Sequence, residues 1–210
     1  MAESSPLPLP LFPLPDTVLF PGMPLPLHIF EHRYRKMVED ALASHRSIGM
    51  SLLKPGWEED YEGRPPIYPI GCSGTIVQHE RLEDGRYDIV LRARSRFRVL
   101  EEHGGEPYRL ATVETLSDHP GDEDALARLR TQVLATIARA ADGPKSLVLQ
   151  GELPHELLVN ALSQTLGLSP VEKQSLLDCD TLEARYERLL KILEFHVLES
   201  SSGGASTSLH

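Results

Sequence analysis

With 210 residues, 40% of them hydrophobic and 25% charged, the chain has room for one large domain or two small ones of ordinary globular composition. Its formal net charge of −10 disfavours general binding to a phosphate backbone, so no nucleic-acid partner is expected. Two cysteines, Cys72 and Cys179, are too few for a disulfide scaffold. They read as buried reduced thiols, with a single disulfide left open as the alternative.

The opening "MAESSPLPLPLFPLP" lacks a basic segment, and prolines interrupt its apolar residues, so it does not read as a signal peptide. No apolar run approaches the roughly 20 residues that span a bilayer. The expectation is a soluble, cytoplasmic protein with no membrane partner.

Eight of the 17 prolines fall within residues 1–26. Proline removes a donor and blocks helix, so this region is extended or turning. The interleaved Leu7, Leu9, Leu11, Phe12, Leu14, Val18, Leu19 and Phe20 carry too much apolar surface for a disordered tail, and predict strands packed on a β-core. The first five residues are expected to be loose. From Glu31 to about Ser44 the spacing of Tyr34, Met37, Val38, Ala41 and Leu42 predicts a helix. "IGMSLL" at 48–53 reads as a buried strand, and "KPGWEEDYEGRPP" as a loop. "IGCSGTIVQHERL" and "RYDIVLRARSRFRVL" flank "EDG", where Asp84-Gly85 signals a hairpin. "YRLATVETL" is a further strand.

Beyond "SDHPGDED" the period turns helical. A helix from about 122 to 141 ends at Asp142-Gly143-Pro144. "PHELLVNALSQTLG" is a second helix. "SPVEKQSLLD" is a third, with Ser169 and Glu172 forming a capping box around Pro170. "TLEARYERLLKILEFHVLE" is a fourth, with Leu182, Arg185, Tyr186, Leu189, Leu190, Leu193 and Val197 toward one side. The expected organisation is a β-rich unit over 1–117 with one helix, a helical bundle over 118–199, and a disordered tail over 200–210. The fold class is α+β.

His28, Glu31 and His32 spell H-x-x-E-H, the inverted zinc-peptidase signature. That chemistry needs both histidines on one helix, with the glutamate reaching a metal-bound water. Pro24 and Pro26 stand directly before His28, and Leu25, Leu27 and Ile29 alternate as in an extended chain. His28 is therefore expected on an extended segment and His32 on the helix, without a shared face. A metal-dependent hydrolase using these three residues is the alternative reading.

The same stretch carries a different resemblance. "LPLFPLPDTVLFPGMPLPLHIFEHRYRKMVEDAL" resembles the opening of the N-terminal domain of the Lon ATP-dependent protease family. The matching positions are Pro13-Leu14, Val18-Leu19-Phe20-Pro21-Gly22 and the run from Pro26 to Tyr34. "IGCSGTIVQHERLEDGRYDIVLRARSRFRVLEE", "PYRLATVE" and "KQSLLDCDTLEARYERLLKIL" are similar to later family segments, so the resemblance spans about residues 9–197. Position 32 is usually proline in that pattern, so a histidine ligand there is not part of it. The resemblance implies a PUA-like pseudo-barrel followed by helices. Lon proteases add an ATPase and a Ser-Lys peptidase module. Here no G-x-x-x-x-G-K-[ST] loop occurs, and no residue matches the peptidase serine and lysine. The resemblance therefore implies a stand-alone, non-catalytic substrate-binding domain with no cofactor. Its partners would be unfolded or client proteins and peptides, with a protease or ATPase as a further one. The oligomeric state stays open. Small-molecule or RNA binding is implied only by analogy with PUA-like folds.

Two features are candidate binding residues. Strict alternation in "VLRARSRFRVL" places Arg92, Arg94, Arg96 and Arg98 on one face, with Leu91, Ala93, Phe97 and Val99 opposite. The arginines read either as a solvated face balanced by nearby glutamates or as a docking stripe for acidic peptides or phosphate groups. Trp57, the only tryptophan, either covers the core edge or serves as an exposed anchor. No G-x-S-x-G elbow appears, so no catalytic triad is read.

Overall fold

In the computed structural model, residues 8–60, 63–104, 107–119, 121–139 and 153–203 are described. Six strands and five α-helices alternate in the order β1 Leu9–Leu14, β2 Pro24–Ile29, α1 His32–Leu42, β3 Ser47–Leu52, β4 Ile70–Arg81, β5 Tyr87–His103, β6 Arg109–Leu116, α2 Glu123–Arg139, α3 His155–Thr165, α4 Pro170–Leu177 and α5 Leu182–Gly203. A 3-10 turn, Trp57–Asp60, interrupts the loop after β3. Among the described residues, no helix is long and apolar enough to cross a membrane. Both cysteines are buried, and neither forms a disulfide.

The chain divides into two compact units. One holds the residues up to Ser117 together with Ser169–Leu177. The other holds Asp118–Leu168 and the chain from Asp178 onward.

In the first unit the strand order is β2-β5-β4-β3-β1-β6, and β6 also pairs with β5. The pairings β5–β4, β4–β3, β3–β1, β1–β6 and β6–β5 thus close a ring, with β2 added at the first half of β5. All pairings are antiparallel except β1 with β3. Closure consumes the strand edges that an open sheet would leave unpaired. Inside lies a cluster of Leu9, Leu11, Leu53, Ile67, Phe97 and Ala111, with Trp57, Val99 and Val113 packed against it. The prolines of β2 sit where they do least harm, on a strand with one partner.

Asp84-Gly85 makes the hairpin between β4 and β5. Gly85 lies at φ 80°, its N–H donates to the Leu82 carbonyl, and the Leu82 N–H donates to Arg86. Helix α1 buries Tyr34, Met37, Val38 and Ala41, the residues its period singled out.

Strand β5 departs from simple alternation. Cys72 pairs with Arg96 and Gly74 with Ala93, so Ser73 of β4 stands against two residues of β5, Arg94 and Ser95. Cys72 and Gly74 share a face, and so therefore do Arg96 and Ala93. The extra residue thus turns Arg96 away from the face of Arg92 and Arg94. Two further register shifts leave Val77 of β4 and Leu100 of β5 as the extra residues, which explains why both are exposed.

Helix α4 belongs with this unit and not with the other helices, a correction to the expected continuous helical region over 118–199. Its capping box forms as read. The Ser169 N–H donates to Glu172 Oε2 at 2.7 Å, and the Glu172 N–H donates to Ser169 Oγ at 3.3 Å. The helix is fixed to the sheet by Gln174 Nε2, which donates to the Ile70 carbonyl, and by its own Leu177 carbonyl, which accepts from Arg96. The β-rich unit accordingly carries two α-helices, not the expected one.

In the second unit α2 and α3 both pack on α5. Asp122 caps α2 through the Ala125 N–H, and Thr181 caps α5 through the Ala184 N–H. At the centre Arg185 is fully buried and donates bidentately to Asp118 at 3.0 and 3.1 Å, to Asn160 Oδ1 at 2.6 Å and to the Cys179 carbonyl at 3.4 Å. Tyr186, beside it in sequence, donates to the His155 carbonyl, and burial pushes its hydroxyl up to about 12. Helix α5 continues to Gly203, so residues 200–203 are helical and not part of a disordered tail. The rest of that tail, the first seven residues and Asp142-Gly143-Pro144 lie outside the described residues.

Two stability outcomes follow. Arg185→Met strands a buried carboxylate and should cost about 3–5 kcal/mol in urea unfolding, whereas the Asp118→Leu/Arg185→Met double variant should recover most of that loss. At Gly71 an added Cβ would fall on the Met50 carbonyl oxygen and within 2.5 Å of Phe97 Cζ. Gly71→Ala should therefore lower stability by about 1–3 kcal/mol, read as a shifted denaturation midpoint.

Candidate functional site

A cavity of about 420 Å³ opens in the first unit. Its walls come from five segments: Pro13 in β1, Arg33 and Tyr34 in the first turn of α1, Leu53 just after β3, Gly63 to Pro65, and Pro107 to Arg109 at the start of β6. Three guanidinium groups and two tyrosines thus converge on a cavity whose other walls are mostly proline and leucine. No described residue lining it is acidic.

Each cation is positioned by its surroundings. Arg33 donates from Nε to Glu31 Oε2 at 3.0 Å, and its guanidinium carbon lies 4.7 Å from the centre of the Tyr34 ring. Arg109 is buried, donates to the Pro65 carbonyl, and has Glu102 at 3.6 Å. Burial draws its guanidinium below the usual arginine range; Glu102 opposes this, while Arg64 and Arg33 add to it. Arg64 is exposed and donates from Nη1 to the His103 carbonyl at 3.2 Å. Tyr108 donates its hydroxyl to Asp40 Oδ2 at 2.8 Å. The hydrogen bond from Lys36 holds the Asp40 carboxyl below its ordinary value, burial opposes it, and the bond from Tyr108 reinforces it.

The H-x-x-E-H residues do not assemble as a zinc site would require. His28 lies on β2, with Nδ1 2.6 Å from Asp88 Oδ1 and Nε2 3.2 Å from Arg86 Nη1. Glu31 precedes α1 and accepts from Arg33, while His32 begins the helix. The two histidines therefore share no helical face.

Of the expected binding residues, Arg92 and Arg94 are exposed, and Arg94 donates to Thr75 Oγ1 at 3.2 Å. Arg96 is corrected. It is only 2% exposed and its guanidinium donates to the Leu177 carbonyl at 3.0 Å, so the stripe is divided. Arg98 is exposed, 3.8 Å from Glu114. Trp57 is half-buried against the barrel cluster, in the position expected of a residue covering the core edge. Arg33, Arg64 and Arg109 were not singled out as a site, because they stand far apart in sequence. The prolines around them, Pro65-Pro66 and Pro107, mark rigid loops but carry no sign of convergence.

Residues 8–194 match the family model described as the ATP-dependent protease La (LON) substrate-binding domain. The Lon protease of Flavobacterium johnsoniae is 27% identical over 205 residues, which cover 94% of this chain and 25% of that protein. The chain spans about a quarter of the length of the curated relatives it matches. The crystal structure of a Lon N-terminal domain protein from Xanthomonas campestris superposes with a TM-score of 0.65 at 26% identity, covering 88% of this chain and 97% of that one. The N-terminal domain of Mycobacterium avium complex Lon protease superposes with a TM-score of 0.70 at 18% identity, covering 90% and 99%. The latter likeness is one of fold.

The pH behaviour of the cavity wall follows from Asp40. A carboxyl held below its free value of 3.8 contributes stability that is present above that pH and is lost as the pH falls through the depressed value. The Tyr108 ring resonances should therefore stay constant from pH 7 down to about 4 and move only below it. A transition centred near pH 5 would contradict the assigned contact.

Proposed function

The chain belongs to the family of Lon substrate-binding domains, and we propose on that premise that it binds polypeptide segments of client proteins without itself catalysing a reaction. The observation that carries this reading is the family match over residues 8–194. The pocket-bearing barrel is consistent with it, since a concave site with a few convergent polar groups on apolar walls suits a flexible ligand. Delivery of such clients to an ATP-dependent protease is the finer form of the proposal. Arg92 and Arg94 add an exposed cationic pair that would favour acidic segments, and the exposed edge of Trp57 would offer apolar contact.

The test is a fluorescence-anisotropy titration with a reduced, alkylated and therefore permanently unfolded protein. Saturable binding with Kd on the order of micromolar, about −8 kcal/mol, is expected. No binding of several such proteins up to about 1 mM, roughly −4 kcal/mol, would overturn the reading. The Arg92→Ser/Arg94→Ser double variant should weaken acidic clients several-fold and leave neutral ones unchanged; equal binding of both would remove the stripe from the interface.

A further inference from the structure

The Arg33, Arg64 and Arg109 cavity has a stricter chemistry than a general apolar surface. A guanidinium presents its donors in a planar fork that matches a carboxylate bidentately. Three such groups reach this cavity from three separate segments. Their present partners differ in a telling way. Arg33 is closed onto Glu31 at 3.0 Å, and Arg109 has Glu102 at 3.6 Å. The Arg64 guanidinium donates to a neutral carbonyl, that of His103, and among the described residues no carboxylate pairs with it. Arg109 is held in place from behind, buried and donating to the Pro65 carbonyl, so its position does not depend on an incoming ligand. A preset donor loses little rotational freedom on binding.

The remaining walls define what accompanies the anion. Pro13, Leu53, Pro65 and Pro107 have no charge, and Tyr34 and Tyr108 present ring surface with their hydroxyl ends polar. A volume of about 420 Å³ lies toward the small end of ligand pockets and suits one or two amino-acid residues. The net charge of −10 makes a polyanion a poor fit, since the rest of the surface repels it. A single negative charge on a short apolar stem meets all these conditions.

We propose that this cavity receives a carboxylate of the bound polypeptide, gripped between Arg64 and Arg109 with Arg33 beside them. The proposal rests on the reading of the chain as a client-binding module and adds the chemical class that its pocket selects. Chain-terminal and side-chain carboxylates share this chemistry, and the experiment separates them.

Three acetylated hexapeptides of one apolar sequence serve as probes: one with a free C-terminal acid, one amidated, and one amidated with an internal aspartate. Binding to the whole chain is read by anisotropy, and engagement of the cavity by chemical-shift changes at Tyr34 and Tyr108. At least one carboxylate peptide should bind about ten-fold or more tightly than the neutral amide, move both tyrosines, and weaken with added salt. Which of the two does so identifies the source. Arg64→Gln changes an exposed side chain and should leave the melting temperature unaltered while reducing that preference to less than about two-fold. Arg33→Gln should reduce it too, and Arg109→Lys provides a conservative check at the buried position.

Equal affinity for the acid, aspartate and amide peptides overturns the carboxylate assignment. So does a preference that survives Arg64→Gln and Arg33→Gln together. If unfolded proteins still bind in either case, the client-binding reading stands and only the pocket chemistry falls. If unfolded proteins do not bind while the acid peptide does, the pocket stands and the broader reading falls.

Discussion

The first unit depends on the pairing of one long strand. β5 has 17 residues and supplies backbone groups to β2, β4 and β6. No short strand could do this, because a strand advances only about 3.3 Å per residue and has just two edges. β5 pairs with β2 over Tyr87–Arg92 and with β6 over Arg96–His103, while β4 lines its other side. The bend that separates these two halves is the register shift between Ala93 and Arg96. Without it the sheet could not curl from one partner to the next, and the apolar cluster around Phe97 would not be enclosed.

That shift explains both what the sequence made legible and what it hid. Local signals were sufficient wherever one segment determines its own structure. The period of Tyr34, Met37, Val38 and Ala41, the Asp84-Gly85 turn and the Ser169–Glu172 capping box all describe groups within a few residues of one another. Arg96 is different. Its environment depends on an extra residue in the ladder with β4 and on α4, whose Leu177 carbonyl lies 81 positions away in the chain. Pattern reading assumes unbroken alternation, so it necessarily placed Arg96 with Arg92 and Arg94. The triple-arginine cavity was hidden for the same reason, since convergence of residues 33, 64 and 109 is a product of ring closure.

The second unit shows a related limit. Arg185 falls on the side of α5 that also carries Leu182, Tyr186 and Leu189, and helical spacing alone does not say what its charged head meets. In the structure its head points into a polar knot with Asp118, Asn160 and the Cys179 carbonyl. The acceptors come from three separate places in the unit, with Asp118 taking a bond from each terminal nitrogen. Such a knot adds less net stability than an apolar core of the same volume, but it tolerates few alternative packings. Asp118 and Asn160 gave no local indication that they would meet an arginine. The family resemblance, by contrast, rested on short contiguous strings and spanned nearly the same residues as the family model.

Strand β2 carries a constraint of its own at its outer rim. Pro24 and Pro26 have no N–H, and among the described strands β2 pairs with β5 alone. The ladder to β5 uses the donors that remain, so the outward rim is poor in N–H groups and rich in carbonyls. A stray strand needs alternating donors and acceptors to zip onto a sheet. This rim cannot offer them, and it therefore fails as a template for runaway β-assembly. The two prolines make the edge sterile: an extended segment that meets it is not recruited into a growing sheet.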